Sequence, residues 1–215
     1  GNKKGLAIHL QATDAEHEPV AKWNHGDHLP QDQYQHGLRP EEARRQARVP
    51  PGFSIDLIAA EPDLVQPIAM CFDARGRIWV IEGNTYPVRK EGAWNDGSFE
   101  TRKVFAENLN LASGIEVGFG GVYVGAAPYL LYFPDQDQDD QPDGEPEILL
   151  DGWGYQDTHE TLNAFTWGPD GWLYGVNGST TTGTVENPAN GEKVAWQGQM
   201  VWRYHPDSKD FELYA

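Results

Sequence analysis

The sequence predicts an all-β fold of the β-propeller type, and three observations lead to this prediction. After Gly52, short β-rich segments bounded by turn residues replace any helical periodicity. Glycine and proline number 24 and 15 among the 215 residues, which is typical of a fold with many turns. A strand–turn–strand unit recurs about every 40–50 residues, which is the spacing of propeller blades.

The repeated unit is a hairpin of two β-rich segments joined by a glycine-containing turn. Its three copies are Ile68–Phe72 with Ile78–Ile81, Gly114–Val117 with Val122–Val124, and Ala164–Trp167 with Trp172–Tyr174. A blade has two apolar faces that it cannot bury alone, so such units stack around an axis. A β-sandwich is the alternative, but it would not require the same hairpin chemistry three times.

Further β-rich segments between the copies are expected to form the outer strands of the blades. They are Leu130–Phe133, Pro146–Leu150, Met200–Tyr204 and Phe211–Tyr214. Phe53–Ala60 alternates between apolar and polar residues and is also expected to be a strand. Residues 51–215 therefore hold only about three to four blades. We expect missing blades, or another chain, to complete the ring.

The first fifty residues are expected to form a mostly irregular N-terminal arm or linker. Gly1–Gly37 is polar and shows no sustained periodicity. One short helix is expected near residues 40–48, where Pro40 and two glutamates open the segment and three arginines follow, as the helix dipole favours. Pro50–Gly52 ends this helix, and the domain boundary is placed there.

Charge and cysteine content exclude several classes of function. Asp and Glu number 33 against 16 Lys and Arg, which gives a formal net charge of −17. Without a basic cluster, nucleic acid and anionic lipid are not expected partners. No run of about 18 apolar residues predicts a membrane span. Cys71 is the only cysteine, so this chain has no internal disulfide and no haem attachment motif, and Cys71 is expected to be a buried core thiol.

An acidic segment predicts a calcium site. Its carboxylates stand at relative positions 1, 3, 5 and 9 of a calcium-loop pattern, and position 7 would offer a backbone carbonyl. The predicted ligands are Asp135, Asp137, Asp139, Gln141 and Asp143. Asp140 occupies position 6, where the loop requires a left-handed conformation that aspartate tolerates. The alternative is a solvated acidic loop between two strands.

A second polar cluster, Gly154–Asn163, stands just before the third hairpin and contains Asp157, His159 and Glu160. A histidine beside a carboxylate is suited to general-base catalysis, because its pKa lies near neutrality and the carboxylate fixes its tautomer. The alternative is that these residues cap a turn between blades. Glu82, Asn84 and Tyr86 follow the first hairpin and are candidates to line the same channel, or to form an ordinary inter-blade loop.

Several segments together resemble the membrane-bound dehydrogenase propellers of bacteria, relatives of the soluble glucose and sorbosone quinoprotein dehydrogenases. The resemblance covers roughly residues 38–215. The segments that carry it are Val49–Phe53, Leu57–Pro62, Phe72–Glu82, Val104–Asn110, Gly120–Gly125, Gln156–Asn163 and Trp167–Gly171. The resemblance implies a six-bladed propeller, an exported protein of the bacterial envelope (periplasmic or extracellular), and often an appended cytochrome c domain.

The resemblance also implies residue roles. In the sugar quinoprotein dehydrogenases, a histidine shortly before an F-G-P-D-G-like turn takes the substrate's hydroxyl proton, and pyrroloquinoline quinone (PQQ) accepts the hydride. His159 is the nearest match by residue type, whereas Glu160 stands at the matching distance from Gly168–Asp170. Asp157 would orient the base. Glu82, Asn84 and Tyr86 would line the cofactor channel.

Two functions follow from these observations. The first is a propeller module of an exported quinoprotein-type dehydrogenase that oxidises a sugar or polyol and passes electrons to a cytochrome c. The second is a non-catalytic, carbohydrate- or protein-binding propeller subunit of a larger envelope assembly.

Overall fold

The computed structural model describes residues 39–60, 64, 66–83, 103–154, 156–157 and 159–215. The chain divides into two compact units, Gly1–Glu61 and Pro62–Ala215. In the first unit, helix α1 spans Pro40–Gln46, with acidic residues in its first turn and Arg44 and Arg45 in its last. No helix in these described ranges is long and apolar enough to cross a membrane.

The predicted strand at Phe53–Ala60 is wrong, because residues 53–60 form no strand. A strand needs a neighbour that completes its backbone hydrogen bonds. The described part of the first unit contains no strand that could be that neighbour. Phe53 is 72% exposed, so the apolar alternation of this segment does not correspond to a buried face.

The second unit is built from antiparallel β-strands. Its described strands are β1 (Pro67–Phe72), β2 (Ile78–Glu82), β3 (Ala112–Gly118), β4 (Gly121–Ala126), β5 (Tyr129–Pro134), β6 (Glu147–Trp153), β7 (Asn163–Trp167), β8 (Leu173–Asn177), β9 (Thr182–Glu186), β10 (Lys193–Gln197), β11 (Met200–Tyr204) and β12 (Phe211–Leu213). They form three sheets with the orders β1-β2, β10-β9-β6-β5-β4-β3 and β12-β11-β8-β7. None of these sheets closes on itself.

The all-β prediction is confirmed, and so are its hairpins. β1–β2, β3–β4 and β7–β8 are the three repeated units, and β5, β6, β11 and β12 are the expected outer strands. The turn between β1 and β2 is closed by a hydrogen bond from the Gly76 N–H to the Asp73 carbonyl (2.8 Å). Gly76 has a φ of 74°, a conformation that glycine adopts without steric cost.

The hairpin β9–β10 was not predicted, and it extends the second sheet instead of the third. β9 pairs with β6, with Trp153 opposite Gly183. The backbones approach so closely that a Cβ on Gly152 would stand 2.1 Å from the Thr184 carbonyl oxygen. Two glycines thus permit a pairing between segments about thirty residues apart in sequence.

The first strands of the three sheets are neighbours, since β3 contacts β1, β2 and β7. Ring contacts fill the space between the sheets. Trp153 of β6 packs against Trp202 and Phe211 of the third sheet, with centroids 5.4 and 5.8 Å apart. Cys71 is 7% exposed, as predicted for a core thiol. Burial, followed by the nearby Glu116 carboxylate, raises the pKa of Cys71 to about 12.

Candidate functional site

The loop that leads into β7 is anchored on β3. The hydroxyl of Ser113 lies 2.8 Å from the hydroxyl of Thr161 and donates a hydrogen bond to the carbonyl of Leu162 (2.8 Å). Thr161 and Leu162 are fully buried. The end of this loop is therefore fixed by the second sheet, while Gln156 and His159, which precede it, are exposed.

Asp157 and His159, two of the predicted catalytic residues, are brought together in this loop. The Asp157 carboxylate accepts a hydrogen bond from the backbone N–H of His159 (2.9 Å), and the same oxygen lies 3.1 Å from Nδ1 of the imidazole. These two bonds hold the pKa of Asp157 below its ordinary value. When Nδ1 carries its proton toward Asp157, Nε2 is the proton-accepting nitrogen, as in a general base.

Glu160, the other predicted base, is committed to a structural contact. Its carboxylate accepts hydrogen bonds from the backbone N–H (2.6 Å) and the hydroxyl (2.7 Å) of Thr180. Its carbonyl accepts from Gly178 N–H and from the hydroxyl of Thr181. The bonds from Thr180 hold the pKa of Glu160 below its ordinary value. A carboxylate with a lowered proton affinity is a weaker base, so the geometry favours His159 for that role.

The predicted channel residues are placed only in part. Glu82 is the last residue of β2 and lies opposite Pro67 in the first sheet, where it is half-buried. Asn84 and Tyr86 lie outside the described residues.

Three of the predicted metal ligands converge in the segment between β5 and β6. Carboxylate oxygens of Asp135, Asp137 and Asp139 all lie within 4.8 Å of one another. Asp135 is buried, and the other two are exposed. The backbone N–H of Asp139 donates to both Asp135 (3.1 Å) and Asp137 (3.2 Å). Asp140 has a φ of 68°, the left-handed conformation expected at position 6.

The other two predicted ligands make hydrogen bonds within the segment. Asp143 accepts from the backbone N–H of Gln136 (2.6 Å). The side-chain amide of Gln141 donates to the Asp139 carboxylate (2.8 Å). The carboxylates that could hold a divalent cation in this arrangement are therefore those of Asp135, Asp137 and Asp139.

A cluster of cations around Asp140 was not predicted. Arg77 donates to its carboxylate, as do Arg75 (3.3 Å) and Lys103 (3.2 Å). Partial burial raises the pKa of Asp140, but the bonds from Arg77 and Lys103 outweigh burial and hold it below its ordinary value. No local signal identifies this cluster, because its members are 37 to 65 residues from Asp140 in sequence.

The profile of one protein family, described as "Domain of unknown function (DUF7133)", matches residues 39–215 of the chain. The matched range includes every described strand, the Asp157–His159 pair and the acidic segment. No curated protein and no solved structure matches the chain.

Proposed function

The chain belongs to the DUF7133 family, and we propose that it is a propeller module of an exported quinoprotein-type dehydrogenase that oxidises a sugar or polyol. The observation that carries this proposal is the 3.1 Å contact between Asp157 and Nδ1 of His159. A carboxylate in this position orients an imidazole and stabilises its protonated form. The periplasmic or extracellular location belongs to the same proposal and rests on the family resemblance.

The arrangement of the sheets supports a propeller. Apart from the hairpin β9–β10, the strands of the three sheets follow one another in chain order, and the first strand of each sheet contacts the first strand of the next. In a propeller, the first strand of every blade lies next to the axis, so this adjacency is the one expected. In this arrangement the hairpin β9–β10 lies within the sequence of one blade but extends the outer edge of the blade before it. We propose a ring of six blades, completed by further blades or by another chain.

In the proposed reaction, oxidation of a substrate hydroxyl to a carbonyl releases one proton and one hydride. Nε2 of His159 accepts the hydroxyl proton as the C–H bond breaks, and Asp157 stabilises the resulting imidazolium. The side chains of His159 and Asp157 are 65% and 40% exposed, so a substrate can reach them from solvent. PQQ, when bound, would supply the acceptor for the hydride.

The groups that hydrogen-bond to the carboxylates of Asp157 and Glu160 supply no cation for the quinone. PQQ carries three carboxylates, which call for cationic partners. Among the described residues, the side-chain carboxylates of Asp157 and Glu160 accept hydrogen bonds from His159, Ser179 and Thr180, and none of these is a lysine or an arginine. The role proposed for this chain is therefore proton transfer by His159. Only the family resemblance predicts the quinone, and it alone predicts a cytochrome c as the next electron acceptor.

The acidic segment is proposed to hold a structural calcium ion. Asp135, Asp137 and Asp139 would supply carboxylate oxygens, the ligands that calcium prefers. A bound cation would neutralise the mutual repulsion of these groups. This proposal is separate from the reaction, because the segment follows β5 whereas the Asp157–His159 pair precedes β7.

A second candidate function is a non-catalytic, carbohydrate- or protein-binding propeller subunit of an envelope assembly. The exposure of His159 favours it, because enzymes usually enclose a catalytic base in a pocket that excludes water.

Titration of the full-length protein with PQQ, followed by dye-linked oxidation of a panel of sugars and polyols, separates the two functions. The dehydrogenase predicts saturable quinone binding and dye reduction that depends on the substrate. No quinone binding and no dye reduction would overturn the dehydrogenase and leave the binding subunit.

A further inference from the structure

The first sheet carries apolar side chains on both of its faces. Those toward the second sheet are Ala69, Cys71, Trp79 and Ile81. Those on the opposite face, which we call the Met70 face, are Ile68, Met70, Phe72, Ile78 and Val80. The three residues that β1 contributes to the Met70 face are 42–57% exposed. An antiparallel sheet with one solvated face alternates apolar and polar residues, so this sheet is built to be covered on both faces.

The corresponding face of the second sheet is covered by the first sheet. The pairs that stand at the same place in the three hairpins are Phe72 with Ile78, Val117 with Val122, and Trp167 with Leu173. Two residues earlier in each strand, Met70 therefore corresponds to Ile115 of β3 and to Phe165 of β7. Ile115 is buried in one cluster with Cys71 and Ile81 of the first sheet.

The corresponding face of the third sheet is covered by the second sheet. A Cβ on Gly125 of β4 would stand 2.8 Å from the ring of Phe165. The ring of Trp167 packs edge-on against the ring of Tyr123, also on β4, with centroids 5.2 Å apart. In both later sheets, the face that is equivalent to the Met70 face thus lies on the sheet that precedes it.

The third sheet presents a surface equivalent to the one with which β4 covers it. Leu173 of β8 belongs to the cluster shared with the second sheet, so the side chains that alternate with it lie on the opposite face. These are Tyr174 and Val176, which stand at the two positions through which β4 covers the third sheet. Val201 lies opposite Val176 in the pairing of β8 with β11. We call this surface of three half-buried residues the Val176 face.

The cation beside the Val176 face is already neutralised and held in place. The guanidinium of Arg203 donates two hydrogen bonds to the Glu212 carboxylate (2.9 and 2.7 Å). It also lies over the rings of Trp172 and Tyr214, 4.2 and 5.1 Å from their centroids. An apolar surface can therefore pack on the Val176 face without burying an unpaired charge.

We propose that the Val176 face of one copy of this chain docks on the Met70 face of a second copy. Met70 would lie against Val176. Phe72 would lie against Tyr174, and both contacts repeat those that join the second and third sheets. Two copies that dock on each other in both directions hold six sheets, and their contacts close with two-fold symmetry. The proposal rests on the propeller proposed above, and it takes a second copy as the chain that completes the ring.

The test is sedimentation velocity of the chain over a range of protein concentrations, in about 0.15 M salt to screen the repulsion between two chains of net charge −17. A concentration-dependent dimer is expected. Phe72→Asp and Val176→Asp each place an unpaired carboxylate in both contacts, so each should raise the dissociation constant of the dimer about tenfold or more. Ile148→Asp is the matched control, since Ile148 is 47% exposed and lies outside both faces, and should dimerise like the parent.

A mixture of the two variants distinguishes this dimer from one in which like faces meet. A dimer of one Phe72→Asp copy and one Val176→Asp copy has one contact without a substitution, while both substitutions fall in the other contact. The mixture should therefore form dimers at concentrations at which either variant alone is a monomer. Phe72→Asp should keep the circular dichroism spectrum of the parent, because the Phe72 side chain is 57% exposed, so loss of the dimer is not loss of the fold.

Three results would overturn the proposal: a parent chain that stays monomeric, unchanged dimerisation in either variant, or no association in the mixture. Neither quinone nor sugar enters this experiment. A monomeric parent would therefore overturn the dimer alone, whereas the dehydrogenase is tested by the quinone titration.

Discussion

Arg77 connects two carboxylates that belong to different parts of the fold. Its Nε donates to Asp73 (2.6 Å) in the turn of its own hairpin, and its guanidinium also donates to Asp140 in the segment after β5. One side chain thereby joins the first sheet to the second. Asp73 and Asp140 are largely buried, with side chains 6% and 17% exposed, so they depend on this partner.

Arg77→Ala should therefore lower the free energy of unfolding by about 1–2 kcal/mol. This range is below that of buried ionic hydrogen bonds, because the Arg77 side chain is 35% exposed. Urea denaturation measures the change. Arg75→Ala is the matched control, since Arg75 contacts the same two carboxylates at longer distances and its side chain is 47% exposed. This variant should lose about 0.5 kcal/mol or less of the free energy of unfolding. Equal losses in the two variants would contradict the assignment.

The lowered pKa of Asp73 predicts that the folded protein loses stability in acid. Partial burial raises its pKa, but hydrogen bonds from the Arg77 backbone and side chain and from Trp79 outweigh burial and hold it below 3.8. The stabilisation is therefore complete above that value and is lost as the pH falls through the lowered pKa. Asp73→Asn should be less stable than the parent at pH 7, with the difference narrowing toward pH 2. Unfolding curves at several pH values test this, and a constant difference would refute it.

Calcium should raise the melting temperature of the parent chain, because a ligand that binds only the folded state stabilises it. Asp137→Asn and Asp139→Asn should each abolish most of the shift. Asp143→Asn is the control within the same segment, since the Asp143 carboxylate accepts a hydrogen bond from the Gln136 N–H and lies outside the group of three converging carboxylates. This variant should keep most of the calcium-dependent shift in melting temperature. Scanning calorimetry with calcium or with chelator gives the shift; its absence in the parent would refute the site.

Gly152→Ala should detach β9 from β6. The added Cβ would meet the Thr184 carbonyl oxygen at 2.1 Å, and φ at this position is 122°, so a loss of about 3 kcal/mol or more is expected. Gly191→Ala is the control, because φ at Gly191 is 76° but no atom lies within 4 Å of the added Cβ. This variant should lower the free energy of unfolding by about 1 kcal/mol. A smaller loss at Gly152 than at Gly191, measured by denaturation, would contradict the close approach.

The local features of this structure can be predicted from the sequence. Two β-rich segments and a turn glycine at Gly76 define the β1–β2 hairpin, because both strands and the turn lie within sixteen residues. Contacts between sheets are a different matter. The pairing of β9 with β6, the cations around Asp140, and the packing of Trp153 against Trp202 each join segments that are far apart in sequence, so neither periodicity nor turn chemistry encodes them locally.

The same distinction applies to the predicted catalytic residues. Asp157 and His159 are two residues apart, and their hydrogen bond could be anticipated from that spacing. The contact that engages Glu160 comes from Thr180, twenty residues later, and only the folded chain reveals that the neighbouring carboxylate is committed to another loop.

The most direct test of the proposed function is the pH profile of dye-linked sugar or polyol oxidation by the full-length protein and its His159→Gln variant. A general base contributes about 10²- to 10⁴-fold to a rate, so His159→Gln should lower kcat at least 100-fold. His205→Gln, a histidine at the end of the third sheet, should keep the parent rate and profile. Equal rates and profiles for His159→Gln and the parent would contradict the account.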